Sequence, residues 1–145
     1  MTRILLADDH TLVRQGLRRI LEEQPDWRVI AETGNGLEAV SLAADLQPDV
    51  VVLDIGMPML NGLEAARQIA KKAPAARVLI LSMHADEVHI TKAVEAGAVG
   101  YLVKDSADTE LVKAVTATAD GTSYFSPAAA AVLLDEYRRS VAGRG

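Results

Sequence analysis

Pro48-Asp49-Val50-Val51-Val52-Leu53-Asp54-Ile55-Gly56-Met57-Pro58 is the stretch on which the fold turns. Its centre is an unbroken apolar run, rich in β-branched residues, that stops at a carboxylate. A strand covered on one face alternates apolar with polar, whereas one covered on both faces reads as a continuous run. The same texture recurs at residues 4–7, 27–31, 78–81 and 99–103. Amphipathic segments fall between and after these runs, at 11–24, 36–46, 62–72, 86–96 and 107–119. In the first of them Val13, Leu17, Ile20 and Leu21 make one apolar stripe at helical spacing. Strand–helix alternation repeated five times predicts an α/β fold: a parallel sheet with right-handed crossovers and helices on both faces. Such sheets bind ligands at the carboxyl ends of their strands.

The composition agrees with one such domain. The chain has 145 residues, half of them hydrophobic and only 3% aromatic, so its core is built from Ala, Val, Leu and Ile. With no cysteine, disulfides and thiolate metal sites are excluded, which suits a cytoplasmic protein. No apolar run approaches the roughly 20 residues that span a bilayer, and the N-terminal run meets Asp8 and Asp9 too early for a signal peptide. A net charge of -5 opposes direct contact with nucleic-acid phosphates. Beyond residue 121 the pattern changes. Ser126 is a good N-cap, Pro127 suits the first helical position, and residues 128–137 are rich in helix formers. We therefore divide the chain into a domain at 1–121 and a linker helix with a tail at 122–145, whose last six residues are expected to fray.

Placed on the expected strand ends, the polar residues converge. The first strand runs into Asp8-Asp9, the third into Asp54, the fourth into Ser82, and Lys104 follows the fifth. An Asp at a strand end is commonly the cap of the next helix, and a lone Lys there is commonly solvated. Five such residues at one sheet edge are a different matter. Three carboxylates in one place repel unless a cation or proton intervenes. Oxygen-only donors suit a hard ion, Mg²⁺. Lys104 adds a fixed positive charge and Ser82 a hydroxyl donor, both suited to phosphoryl oxygens. Together they give the pattern of aspartyl-phosphate chemistry.

At this point the chain resembles the receiver domains of bacterial two-component response regulators, along residues 3–120. The resemblance rests on Ala7-Asp8-Asp9-His10, on residues 48–62, on Leu81-Ser82-Met83-His84, and on residues 97–104 ending in Lys104. It implies a flavodoxin-like, five-stranded parallel sheet in the order 2-1-3-4-5. It also implies phosphorylation of Asp54 by a sensor histidine kinase. Asp9, Asp54 and the carbonyl of Gly56 are similar to the family's direct Mg²⁺ ligands, and Asp8 to the partner acting through water. Ser82 and Tyr101 resemble the pair whose hydroxyl and ring move together on phosphorylation. By the same resemblance the chain is not an enzyme in the usual sense, since its chemistry is confined to gaining and losing phosphate on itself.

The NarL/FixJ (LuxR-type) branch is the nearest match, because it shares Met83, Lys104-Asp105 and the 121–127 stretch that leads into a helix. Receivers often carry Lys-Pro with a cis bond at that position. A cis Lys104-Asp105 peptide would cost roughly 3–4 kcal/mol, so the bond is either trans or held by other contacts. Members of the branch usually continue into a helix-turn-helix domain, which these 145 residues lack. DNA contact is therefore expected only through that absent domain, with homodimerisation on phosphorylation. Asn61-Gly62 reads as the turn starting the third helix. His10, His84 and His89 read as surface residues rather than metal ligands, since no spacing unites them.

Rival functions fit less well. A Mg²⁺-dependent aspartate phosphatase needs a second acid two residues after the nucleophile, and Gly56 stands there. A flavin mononucleotide carrier needs a Ser/Thr/Gly-rich phosphate loop after the first strand, where Asp8-Asp9 would repel it. The remaining alternative is a receiver-like module that signals without phosphorylation, against which the complete set of polar residues weighs.

Overall fold

The computed structural model describes residues 1–143. β1 (Thr2–Ala7), β2 (Trp27–Thr33), β3 (Val50–Asp54), β4 (Arg77–Ser82) and β5 (Gly100–Val103) alternate with five helices. These are α1 (Thr11–Glu22), α2 (Gly36–Leu46), α3 (Gly62–Lys72), α4 (Glu87–Glu95) and α5 (Ala107–Ala119). β6 (Tyr124–Phe125) and α6 (Pro127–Gly143) follow. All strand pairs are parallel, in the order β2-β1-β3-β4-β5-β6.

Residue alternation along the strands divides the core into two layers. Leu5, Val51, Leu53 and Ile80 face the layer formed with α2, α3 and α4, where Ala39, Ile69 and Ile90 are fully buried. Ile4, Leu6, Val50, Val52, Leu79 and Leu81 face the opposite layer, with Leu17 and Leu21 of α1 and Leu111 and Val115 of α5. Several helix starts are capped by side chains. Asn35 and Asn61 accept the Glu38 and Glu64 amides at 2.7 and 3.0 Å, and Asn61-Gly62 does open α3. The Ser126 hydroxyl likewise accepts the Ala129 amide at 3.4 Å.

Two details correct the expectations. The sheet has six strands rather than five, because Tyr124 and Phe125 pair with Gly100 and Tyr101. Gly100 makes the approach possible: a Cβ there would lie 2.8 Å from the Tyr124 carbonyl oxygen. The final helix also continues past residue 140, to Gly143. It is tied to α4 by the Thr91 hydroxyl, which donates to Glu136 at 2.9 Å, and by an Arg139–Glu87 ion pair. Of the tail expected to fray, residues 144–145 lie outside the described residues. The open question at Lys104-Asp105 closes as a trans bond, since no cis peptide occurs among the described residues.

β6 carries its own pH dependence. The Tyr124 hydroxyl donates to Glu110 of α5 at 2.7 Å. Burial, and then the Glu110 carboxylate, push its phenol up to about 12. A raised folded-state value means that the contribution is fully present below the unfolded tyrosine value of about 10 and is lost as pH rises from there through about 12. Tyr124→Phe is therefore expected to show a shallower decline in urea-unfolding free energy between these limits. Identical slopes in both proteins would contradict the assignment.

Candidate functional site

Strand register alone gathers the site. β1 and β3 pair with Ala7 opposite Leu53, so Asp8 and Asp54 emerge side by side. β3 pairs with β4 so that Asp54 faces Leu81, and Ser82 pairs with Val103 of β5, immediately before Lys104. Asp8, Asp54 and Ser82 are buried, at 0%, 4% and 2% exposure, whereas Asp9 and Gly56 stay open to solvent.

Lys104 reaches across this edge. Its Nζ lies 3.0 Å from Asp8 Oδ2 and 3.2 Å from Asp54 Oδ2, with only a tenth of its side chain exposed. At an effective dielectric near 20, each such contact is worth roughly 5 kcal/mol before desolvation. One ammonium cannot neutralise two buried carboxylates with Asp9 beside them. With His10 neutral, the cluster of Asp8, Asp9, Asp54 and Lys104 keeps a formal charge of -2. Asp8 Oδ2 also has no hydrogen-bond partner of acceptable geometry among the described residues, despite its ion-pair contact. A buried oxygen without a hydrogen bond in a pocket two negative charges in excess matches a divalent oxygen-seeking cation. Asp8, Asp9, His10 and Asp54 bring ligand atoms within 4.8 Å of one another, a set that could hold such an ion.

The loop after Asp54 is held in place by the backbone. The Ile55 amide donates to Leu81, the Gly62 amide to Ile55 at 2.8 Å, and the Gly36 amide to Pro58 at 3.3 Å. The Gly56 amide donates to Asp54 Oδ1 at 3.2 Å, which orients the carboxylate. On the other strand end, Arg14 of α1 donates to the Asp8 carbonyl at 2.6 Å and pairs with Glu32 at 3.2 Å. No sequence signal marks Arg14 for this duty.

Ser82 and Tyr101 meet through His84. The His84 amide donates to the Ser82 hydroxyl at 3.0 Å, and the Tyr101 hydroxyl donates to the His84 carbonyl at 2.7 Å. Tyr101 is fully buried, and burial raises its phenol above the ordinary value.

The three histidines lie at the surface, His10 and His84 exposed and His89 half-buried, and all three line one cavity of about 170 Å³ with Asp54, Ser82 and Lys104. Sequence spacing hides this because β1 and β4 end at the same edge, and the first turn of α4 folds back over it. Lys104 Nζ lies 2.9 Å from His10 Nδ1, which also lies 3.2 Å from Asp8 Oδ1 and 3.3 Å from Asp9 Oδ1. The His84 and His89 rings stack at 4.2 Å. His89 Nδ1 lies 2.7 Å from Asp86, and this contact holds the Asp86 carboxyl below its ordinary value.

A doubly wound parallel sheet with an acidic, lysine-bridged pocket at its carboxyl edge defines a receiver-like α/β domain. Comparison with known proteins identifies the family: the response regulator receiver domain profile matches residues 4–116. The chain is 41% identical over 139 residues to the transcriptional regulatory protein DegU of Brevibacillus brevis, covering 96% of this chain and 59% of that protein. It is 36% identical over 135 residues to the nitrate/nitrite response regulator protein NarL of Escherichia coli, covering 93% and 62%. Among solved structures, a two-component response regulator of the LuxR family from Aurantimonas sp. superposes with a TM-score of 0.89 at 42% identity, covering 94% and 98%. The chain belongs to the response regulator receiver family of two-component systems, in its NarL/FixJ branch. It spans about three fifths of the length of the curated relatives named here.

The packing behind Asp54 is tight at one glycine and open at another. A Cβ on Gly62 would fall 2.2 Å from the Asp54 carbonyl oxygen, whereas one on Gly56 meets nothing closer than Asp54 Oδ1 at 3.9 Å. Gly62→Ala is expected to cost about 1–3 kcal/mol in urea unfolding. Gly56→Ala should stay within about 0.5 kcal/mol of wild type. Equal effects would mean that the β3–α3 loop is not fixed as described.

Proposed function

We propose that Asp54 accepts a phosphoryl group from the phosphohistidine of a sensor histidine kinase. A carboxylate oxygen of Asp54 attacks phosphorus, the phosphorus–nitrogen bond breaks, and the departing imidazole takes up a proton. The observation that carries this reading is a buried Asp54 carboxylate facing an open cavity, held 3.2 Å from the Lys104 ammonium. Lys104 exchanges a carboxylate contact for a phosphoryl oxygen, and the Ser82 hydroxyl donates to another. Asp9, Asp54 and the Gly56 carbonyl would hold Mg²⁺ directly, and Asp8 through water. When bound, Mg²⁺ supplies positive charge against the phosphoryl oxygens. Hydrolysis of the same acyl phosphate resets the domain.

Readout follows from the contacts of Ser82. Turning its hydroxyl toward the phosphoryl group gives up the bond from the His84 amide, and the same peptide segment holds Tyr101. Tyr101 in turn accepts, at its carbonyl, the amide of Ser126, which caps α6. The 122–143 segment is thus suited to pass the state onward, through homodimerisation, to a DNA-binding domain following in the cytoplasmic full-length protein. That DegU of Brevibacillus brevis is a transcriptional regulatory protein supports a transcriptional output. No helix among the described residues is long and apolar enough to cross a membrane.

Incubation with acetyl phosphate and Mg²⁺ is expected to give a single phosphoryl adduct by intact mass spectrometry, absent when Mg²⁺ is chelated. Asp54→Asn should abolish it, because an amide is not a nucleophile here. Ser82→Ala should still be labelled but show smaller chemical-shift changes at Tyr101 and Ser126. An undiminished adduct in Asp54→Asn would assign the chemistry to another residue, and no adduct in wild type would favour the phosphorylation-independent module.

A further inference from the structure

We propose that His84, Asp86 and His89 form a second metal site, for a borderline transition ion of the Zn²⁺ type. One ligand atom from each residue lies within 4.8 Å of the others, outside the acidic cluster. Tetrahedral ligands at about 2.0–2.1 Å from Zn²⁺ stand roughly 3.3–3.4 Å apart, so small side-chain rotations close the set. Two imidazoles with one carboxylate favour Zn²⁺, Cu²⁺ or Ni²⁺ over the hard ions that suit the Asp8–Asp9–Asp54 oxygens.

The three side chains are already neighbours. His89 is placed by the first turn of α4, and Asp86, the N-cap of that helix, contacts its Nδ1 through both carboxylate oxygens at 2.7 and 2.8 Å. His84 stacks on His89 at an interplanar angle of 15°. Ligation would tilt one ring out of the stack, since imidazole lone pairs lie in the ring plane, with His89 offering Nε2 while Asp86 holds Nδ1 or turns to the ion. Neither ring has another side-chain partner among the described residues, and His84 is exposed, so an ion can enter. A fourth position remains for water.

Ligation would clamp the β4–α4 segment. His84 supplies, through its backbone, the contacts to both Ser82 and Tyr101, so an ion on its ring restrains the peptide that joins them. This consequence rests on the reading of Ser82 and Tyr101 given above, while the site itself stands apart from it.

The test is a Zn²⁺ titration of the whole chain by calorimetry, in saturating Mg²⁺ so that the acidic pocket is filled. One Zn²⁺ per chain is expected. His84→Ala and His89→Ala should each weaken it by on the order of tenfold or more. His84→Ala keeps the backbone groups that hold Ser82 and Tyr101, so its fold is checked by an unchanged melting curve without Zn²⁺. Asp9→Ala and His10→Ala should leave Zn²⁺ affinity unchanged. In nuclear magnetic resonance spectra Zn²⁺ should move the ring signals of His84 and His89 and not those of His10. Binding that survives both His84→Ala and His89→Ala, or is lost in Asp9→Ala or His10→Ala, would place the ion in the acidic pocket and overturn the proposal. Absence of Zn²⁺ binding to wild type at millimolar concentration would do the same.

Discussion

One ammonium group set between two buried carboxylates is the constraint from which the rest of the site follows. Asp8 and Asp54 are placed side by side by the register of β1 and β3, with no freedom to separate. Desolvation makes each costly unless compensated, and breaking such a buried pair typically costs 3–5 kcal/mol. Lys104 compensates part of that charge from the end of β5, two strands away from β3. Lys104 offsets only part of the carboxylate charge, so the cluster keeps an excess of negative charge at one spot. That residual charge is what a divalent cation and then a phosphoryl group can exploit.

The same geometry explains why a local reaction can have a distant effect. Ser82 and Lys104 leave β4 and β5 at adjacent register positions, so both would face a phosphoryl group on Asp54 under the function proposed above. Behind them the core is close-packed, and packed interiors switch between discrete arrangements more readily than they deform. The His84 peptide couples Ser82 to Tyr101, and the Tyr101 carbonyl holds the start of α6. α6 is fastened again at its far end to α4, by Glu136 and Arg139. A change in the β4–α4 segment thus reaches both ends of the last helix.

Much of this was legible in the sequence because strand ends are marked twice, by the end of an apolar run and by a polar residue. The second, third and fifth helices match their expected bounds, 36–46, 62–72 and 107–119. Asp8, Asp9, Asp54, Gly56, Ser82 and Lys104 lie at or just past the carboxyl ends of their strands, whereas Tyr101 sits inside β5. What escaped had physical reasons. β6 is two residues long, too short for any periodicity, and exists because Gly100 lacks a side chain. The extension of α6 depends on tertiary contacts to α4 rather than on its own Ser140–Gly143 composition. His10, His84 and His89 come from two loops and a helix start, and only the folded chain brings them to one cavity. Arg14 supports Asp8 through a backbone carbonyl, an interaction that side-chain patterns cannot announce.

The central claim is that Lys104 compensates buried carboxylate charge at this edge. A double-mutant cycle with Lys104→Met and Asp54→Asn, measured by urea unfolding in chelator, tests it most directly. Lys104→Met should be strongly destabilising in the wild-type background and much less so beside Asp54→Asn, giving a coupling of about 1 kcal/mol or more. Effects that add within about 0.3–0.5 kcal/mol would contradict the account.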